Sequence, residues 1–115
     1  MTDPIFSMLG LAQKAGRIAS GEFSAEKAVK EKKAYLVIIA EDASDNTRKH
    51  FTDMCTYRKI PYRIYGQSSE LGPCLGKAFR MTVAVCDAGF AGSIIDKIDR
   101  FCTARRNLNG ENQST

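Results

Sequence analysis

The sequence predicts an α/β fold in which a four-stranded, mostly parallel or mixed sheet lies between helices. Three observations support this prediction. The 115 residues amount to one domain, and helical and extended patterns alternate along the chain. In addition, residues 35–40 (YLVIIA) form an uninterrupted apolar run. Such a run is typical of a central strand that helices cover on both faces.

The first helix is predicted from Pro4 onward. Asp3 is a favourable N-cap, proline fits the first helical position, and Gly16 ends the helical pattern. The apolar residues with helical spacing are Ile5, Met8, Leu9 and Ala12.

A strand at residues 17–20 and a second helix at residues 22–32 follow, with a turn at Gly21 between them. Acidic residues begin this helix and lysines end it, which suits the helix dipole. Its apolar positions are Phe23, Ala25, Ala28 and Val29.

The two elements after the central strand are a helix and a third strand. Ser44 is predicted to cap the helix at residues 45–58. Residues 60–65 (IPYRIY) form the strand, which Pro61 assigns to a sheet edge or a strand start.

A turn-rich stretch precedes the last strand. A short helix capped by Ser68 or Ser69 is predicted to extend through Leu71. It ends there because Gly72-Pro73 and Gly76 are turn signals.

The chain closes with a fourth strand at residues 80–86 (RMTVAVC) and a helix from Asp87 or Ala88 to about Cys102. The predicted domain spans residues 1–104, and the polar residues 105–115 are expected to be a disordered tail. The helix residues expected to face the core are Phe90, Ile94, Ile95, Ile98 and Phe101.

Composition favours a basic protein of the cytoplasm. Lysine and arginine outnumber acidic residues 17 to 13, giving a net charge of +4. This balance favours an anionic partner such as nucleic acid, although a basic solvated surface is the alternative. The four cysteines and single histidine lack zinc-site spacing, so we expect no cofactor and no metal, and Cys86 is expected in the core. The start of the chain lacks a signal peptide, and we expect no membrane association.

No pattern in the sequence indicates an enzyme. Nucleophile-elbow and phosphate-loop motifs are absent from the sequence, and His50 is expected to be a solvated helix residue. Glu41-Asp42 ends the central strand, where ligands bind in such sheets. These carboxylates have four possible roles: binding a metal, acid–base chemistry, capping the next helix, or accepting hydrogen bonds from a guanine edge. A structural or capping role is favoured for Asp42.

The segment 71–80 places two cations around an aromatic residue just before an apolar strand. Phe79 could stack on an unstacked base while Lys77 and Arg80 meet phosphates. Alternatively, Phe79 could be a core residue.

A second group of candidates surrounds the start of the second helix. Arg17, Lys27 and the backbone amides at Gly21 and Glu22 could line one anion-binding surface, because free amides at a helix start attract phosphate. The carboxylate of Glu22 weakens that attraction.

Several stretches together resemble a known family. They are residues 11–17 (LAQKAGR), 21–29, 36–44, 60–62 (IPY), 70–72 (ELG), 76–77, 82–85 (TVAV) and 87–91 (DAGFA). Over about residues 5–100 the chain resembles the kink-turn-binding ribosomal protein superfamily, of the large-subunit L-seven-Ae and L-thirty-e type, and within it the bacterial YlxQ-like branch.

The resemblance implies an L-thirty-e-like, three-layer α/β/α sandwich with a mixed sheet. It also implies a ribosome-associated RNA-binding protein, for which ribosomal RNA is one candidate partner. Its RNA would be a kink-turn, a sharply bent duplex with tandem sheared G·A pairs beside a short bulge. The family's RNA surface joins the start of the second helix to the loop before the last strand. The RNA-binding residues predicted here are Arg17, Gly21, Glu22, Phe23, Ser24, Lys27, Asp42, Ser44, Lys77, Ala78, Phe79 and Arg80.

One position departs from the family pattern. Strong kink-turn binders in the family carry Asn-Glu, which hydrogen-bonds the guanines, where this sequence has Phe23-Ser24. Lys27 matches the family lysine that contacts RNA, and Lys77 stands where the family has valine or isoleucine. The resemblance therefore implies RNA binding by shape and phosphate contact with weaker guanine recognition. The alternative is a protein–protein adaptor of the same fold, in which Phe23 and Phe79 form an apolar patch. A monomer is expected in either case.

Overall fold

The computed structural model describes the backbone of residues 3–113 and the side chains of residues 3–102. Helices and strands alternate as predicted. The elements are α1 (Pro4–Lys14), β1 (Ile18–Ser20), α2 (Glu22–Lys30), β2 (Leu36–Ile39), α3 (Asp45–Arg58), β3 (Tyr62–Ile64), α4 (Ser68–Cys74), β4 (Thr82–Val85) and α5 (Ala88–Gln113).

The sheet is mixed and has the order β1-β4-β2-β3. β4 pairs antiparallel with both of its neighbours, whereas β2 and β3 are parallel. The carboxyl ends of β1, β2 and β3 therefore meet the amino end of β4 at one end of the sheet. We call the loops at that end, residues 20–22, 40–44, 65–68 and 77–81, together with the adjoining start of α2 as far as Lys27, the loop rim. The opposite end is called the far end.

Helices cover both faces of the sheet, which confirms the three-layer sandwich. β2 is buried along its whole length, as the continuous apolar run predicted, and β4 is buried along its whole length as well. On one face, α1, α4 and α5 pack against the sheet through Ile5, Leu9, Leu71, Ile94 and Ile98. On the other, α2 and α3 contribute Ala25, Ala28, Val29, Phe51 and Cys55. Each fully buried large aliphatic side chain stabilises the fold by about 1.5–3 kcal/mol.

The predicted caps of α1 and α3 and the predicted edge strand are confirmed. Asp3 Oδ1 accepts a 2.7 Å hydrogen bond from the Ile5 amide. Ser44 Oγ accepts one of 3.2 Å from the Thr47 amide. β3, which follows Pro61, lies at the sheet edge, where a missing backbone donor is tolerated.

Phe23 does not occupy the apolar side of α2 that the sequence predicted, and 81% of its surface is exposed. Ala25, Ala28 and Val29 do face the core. Because each helical residue advances by about 100°, Phe23 points almost opposite to Ala25. Its exposure leaves the ring available to a partner.

The predicted turn at Gly72-Pro73 is wrong, because both residues lie inside α4. The N-cap of α4 is Gln67, with Glu70 accepting a 3.0 Å hydrogen bond from the Gln67 amide, and neither serine serves as cap. Pro73 is tolerated because it stands in the last turn of a short helix and removes a single backbone donor.

The end of the chain differs from the prediction in three respects. α5 continues to Gln113, beyond the expected end near Cys102. Phe101, expected to face the core, is 44% exposed, although its ring centroid lies 5.9 Å from that of Tyr65. Cys86, also expected in the core, is half-buried. The side chains of the predicted tail, residues 105–115, are outside the described residues. The disorder of this tail stays a prediction. No helix in the described part of the chain is long and apolar enough to cross a membrane.

Candidate nucleic-acid interface

The loop rim joins the start of α2 to the loop before β4. The Gly21 amide donates a 2.9 Å hydrogen bond to the Thr82 carbonyl, and a side-chain carbon at Gly21 would lie 3.8 Å from the Arg80 Nε. Gly21 has a φ of 95°, a backbone conformation that favours glycine. Two segments about sixty residues apart in sequence thus form one continuous surface.

The Gly21 amide is therefore not free to meet a ligand, contrary to the sequence prediction. The first turn of α2 still has unpaired amides, because no side chain among the described residues caps this helix. The amides of Glu22, Phe23 and Ser24 follow Gly21, which lies next to Arg80, and they can donate hydrogen bonds to an anion. The exposed Glu22 carboxylate opposes that binding.

Arg80 is held in place at the centre of the rim. Its Nε donates a 3.1 Å hydrogen bond to Ser20 Oγ, its Nη1 donates one of 2.8 Å to the Phe79 carbonyl, and its amide donates one of 3.0 Å to the Ser68 carbonyl. Among the described residues, no group engages the Nη2 of Arg80. The guanidinium is oriented by the fold and retains donors for a phosphate.

Asp42 supports this arrangement by binding Ser68, whose carbonyl accepts the hydrogen bond from the Arg80 amide. Its Oδ1 and Oδ2 accept hydrogen bonds of 2.8 and 2.6 Å from the amide and hydroxyl of Ser68. These bonds hold the pKa of the Asp42 carboxyl below its ordinary value. Ser68 in turn accepts from Arg80, so the loops after β2, after β3 and before β4 are linked. The carboxylate is occupied in the structural role favoured from the sequence, and the Ser44 hydroxyl caps α3. RNA contact by Asp42 and Ser44 stays a prediction.

Lys27 and Lys77 provide uncompensated positive charge. Neither side chain forms an ion pair with another residue of the described part, and both are exposed. The acid nearest in sequence to Lys27 is Glu26, which already lies 2.7 Å from Lys30 and 2.9 Å from His50. The hydrogen bonds from Lys30 and His50 lower the pKa of Glu26, which therefore stays ionised and committed to those two partners. The charge of Lys27 remains available.

Two exposed aromatic rings, Phe23 and Phe79, lie within two residues of the Gly21–Arg80 junction in the sequence. Phe23 lines an open depression of about 320 Å³ on the outer side of α2, which is also lined by Glu26, Lys27, Lys30 and Glu31. Phe79 is 57% exposed, so it is not a core residue. Its backbone rests on Gly72, where a side-chain carbon would approach the Phe79 Cα to 2.3 Å. Exposed Ser24 and Ala78 complete the rim next to these rings.

Arg17 is the predicted site residue that the fold separates from the others. It precedes β1, whereas Gly21 follows it, so the strand separates them by about 13 Å at ~3.3 Å per residue. The Arg17 Nε lies 4.0 Å from Asp87 Oδ1 at the far end. The proposed surface shared by Arg17, Gly21 and Lys27 is therefore wrong for Arg17.

Sequence reasoning missed three residues that shape the rim. Ser20 orients Arg80, Ser68 connects Asp42 to the Arg80 amide, and Gly72 allows the Phe79 backbone to approach α4. No local signal revealed this role of Gly72, because Gly72-Pro73 is equally typical of a turn. Ser20 and Ser68 carry no distinctive local pattern.

In the described part of the chain, the residues are not arranged for metal binding or for thiolate chemistry. No three His, Cys, Asp or Glu side chains are arranged there to hold a metal ion. Burial raises the pKa of the Cys55 and Cys74 thiols to about 11, which disfavours their thiolate forms.

Comparison with known proteins identifies the family. Residues 3–94 match the ribosomal protein L7Ae/L30e/S12e/Gadd45 family. The chain belongs to this family. It is 44% identical over 94 residues to the RNA-binding protein YlxQ of Bacillus subtilis (strain 168), covering 82% of this chain and 94% of that protein. The RNA-binding protein YlxQ of Enterococcus faecium is 33% identical over 85 residues, with 74% and 82% covered. The resemblance predicted from the sequence is confirmed.

Three further proteins are also similar to this chain. The large ribosomal subunit protein eL8 of Cenarchaeum symbiosum (strain A) is 28% identical over 99 residues, with 85% of this chain and 79% of that protein covered. A solved structure from Bacillus halodurans C, of unknown function, has a TM-score of 0.83 and 36% identity over 85% of this chain and 99% of its own. The 15.5kD RNA binding protein of Giardia lamblia shares the fold, with a TM-score of 0.71 at 22% identity over 87% of this chain and 92% of its own.

Proposed function

We propose that this member of the L7Ae family is an RNA-binding protein that recognises a bent, kink-turn-like RNA through the loop rim. The observation that carries the proposal is the junction of Gly21 with Arg80, which joins the two segments that form the RNA surface in the family. Two relatives, 44% and 33% identical, are themselves described as RNA-binding proteins. The rim carries cations and aromatic rings, which suit binding rather than catalysis.

The rim residues have complementary roles in this proposal. Lys27, Lys77 and Arg80 neutralise phosphates, and each neutralised phosphate adds to the salt dependence of binding. The amides at the start of α2 donate hydrogen bonds to a phosphate at the kink. Phe79 packs on an unstacked base, because its ring is exposed while its backbone is fixed against Gly72.

Phe23-Ser24 changes how bases are recognised. A phenylalanine ring cannot hydrogen-bond a guanine edge, but it can stack on a base, a contact worth about 1–3 kcal/mol and tolerant of sequence. We therefore propose that bending and backbone shape, more than guanine identity, determine which RNA this protein prefers. Ribosomal RNA is a candidate source, and co-sedimentation with the large ribosomal subunit tests that association.

The deciding experiment is a titration of the full chain into a labelled kink-turn RNA and a straight duplex of equal length, at two salt concentrations. We expect tighter binding to the kinked RNA. Lys27→Ala is expected to weaken binding and to lower the slope of log K against log salt by about one. Lys49→Ala is the matched control, because Lys49 is paired with Asp53 on the surface of α3. Equal, salt-sensitive binding to both RNAs would leave a nonspecific RNA binder.

A protein–protein adaptor is the second candidate function. The exposure of Phe23 and Phe79 favours it, because two apolar rings on one rim also suit a protein surface. The 260/280 nm absorbance ratio of the purified protein separates the two functions. A raised ratio indicates bound nucleic acid, whereas no binding to either RNA in the titration would favour the adaptor.

A further inference from the structure

The far end carries a second basic and aromatic surface that the loop rim does not use. An open groove of about 350 Å³ lies between the ends of α2 and α3. Its apolar floor consists of Val29, Ala34 and Ile60, and its walls consist of Lys32, Tyr57 and Arg58. We refer to these six residues as the far-end groove.

The charge of the groove is uncompensated. Neighbouring Glu31 already pairs with Lys33 at 3.2 Å. Within the described residues, neither Lys32, Arg58 nor the adjacent Lys59 forms an ion pair. Cations at helix ends complement the helix dipole, which explains part of this pattern. The dipole does not explain why Tyr57 is left 83% exposed beside them.

Two of these lysines occupy backbone positions that favour glycine. Lys32 and Lys59 have φ angles of 62° and 60°, just past the ends of α2 and α3. Helices commonly end in this conformation with glycine, which avoids the steric cost of a side chain. Retaining lysine at both ends costs stability and keeps two charges next to the groove.

We propose that the far-end groove binds a second, single-stranded segment of RNA, independently of the loop rim. A base lies on the apolar floor and stacks on Tyr57, while Lys32, Arg58 and Lys59 contact the flanking phosphates. Single-stranded RNA fits because it offers unstacked bases together with negative charge. An acidic protein segment matches the charge but leaves the apolar floor and the tyrosine ring without a flat partner.

The test uses the full chain and a labelled, unstructured RNA of about ten alternating A and C nucleotides, within the usual range of single-strand site sizes. Tyr57→Ala is expected to weaken binding about tenfold, whereas Tyr57→Phe keeps the ring and stays within about twofold. Lys32→Gly removes a charge and relieves the backbone, so it should weaken binding about threefold without lowering the Tm. Lys49→Ala is the matched charge control on the same helix as Tyr57.

The two interfaces are distinguished by measuring both RNAs with both sets of variants. Tyr57→Ala should leave kink-turn affinity unchanged, and Phe79→Ala should leave affinity for the single strand unchanged. The proposal is overturned if the single strand binds Tyr57→Ala as tightly as the parent, or if Phe79→Ala alone abolishes that binding. It is equally overturned if a polyglutamate peptide binds in a Tyr57-dependent way while the single strand does not. Loss of kink-turn recognition alone would contradict only the loop-rim function.

Discussion

The Nε of Arg80 donates a 3.1 Å hydrogen bond to the Oγ of Ser20. The last residue of β1 thereby orients the guanidinium that precedes β4, and neither residue could be placed beside the other without the antiparallel pairing of these strands. The guanidinium is directed by the fold before any RNA arrives, which lowers the entropy lost on binding.

Ser20→Ala should weaken kink-turn binding without removing any charge. Loss of the hydrogen bond frees the Arg80 side chain, and a loss of about 1 kcal/mol, or about fivefold in Kd, is expected. Fluorescence anisotropy measures the Kd, and Ser93→Ala, at an exposed position of α5, is the control. An unchanged Kd for Ser20→Ala would show that RNA binding by Arg80 does not depend on its hydrogen bond with Ser20.

The double variant Phe23→Asn/Ser24→Glu should increase discrimination between kink-turn and straight duplex. It restores the residue pair that strong kink-turn binders of the family carry, and one good bidentate base contact is worth about 1–3 kcal/mol. The ratio of the two Kd values is therefore expected to rise about tenfold or more. Stability should change little, because Phe23 is 81% exposed. A ratio equal to that of the parent would mean that the rim does not dock RNA as its family does.

Gly72→Ala should damage the fold and the rim together. The added carbon would lie 2.3 Å from the Phe79 Cα, so α4 and the loop before β4 must separate. Overpacking of this kind costs about 1–3 kcal/mol of unfolding free energy. Gly92→Ala is the control, because outside its own helical turn no atom of the described residues lies within 4 Å of the added carbon and alanine should stabilise the helix by about 0.5–1 kcal/mol. Chemical denaturation measures both, and equal stability of the two variants would contradict the close approach.

Asp42→Asn should lower the free energy of unfolding at neutral pH, and this loss should be smaller at low pH. The folded-state pKa of Asp42 is held below its ordinary value of 3.8 by the hydrogen bonds from Ser68. Its contribution to stability is therefore present above that ordinary value and lost as the pH falls through the depressed pKa. Thermal melts between pH 7 and pH 2 should show the Tm of the variant approaching that of the parent. A constant difference in Tm between variant and parent across this range would mean that the charge of Asp42 does not stabilise the fold. Asp53→Asn, on the surface of α3, is the control.

Local signals in the sequence were sufficient for most of the fold. The caps at Asp3 and Ser44 act within three residues, so they identify the starts of α1 and α3 without any tertiary information. The same holds for the buried run of β2 and for Pro61 at the sheet edge. Gly72-Pro73 was misassigned because its role is tertiary: glycine is needed there to admit the Phe79 backbone, not to reverse the chain.

Only part of the site could be predicted from the sequence. The position of Arg17 was wrong because the direction of β1 relative to the rim depends on sheet pairing. Ser20 and Ser68 were missed because a serine that bonds to a residue tens of positions away has no local signature. The exposure of Phe23 followed from helical geometry but conflicted with its hydrophobicity, and such conflicts are expected where a surface is functional.

The strand order has a consequence for how the chain is made. β1 lies at the sheet edge and pairs with β4 alone. During synthesis from the amino terminus, more than half of the chain must therefore emerge before β1 can pair with β4. Pairings that span such a distance close slowly. Because that same step brings Gly21 against Arg80, a nascent or truncated chain that lacks β4 has no rim with which to capture RNA prematurely.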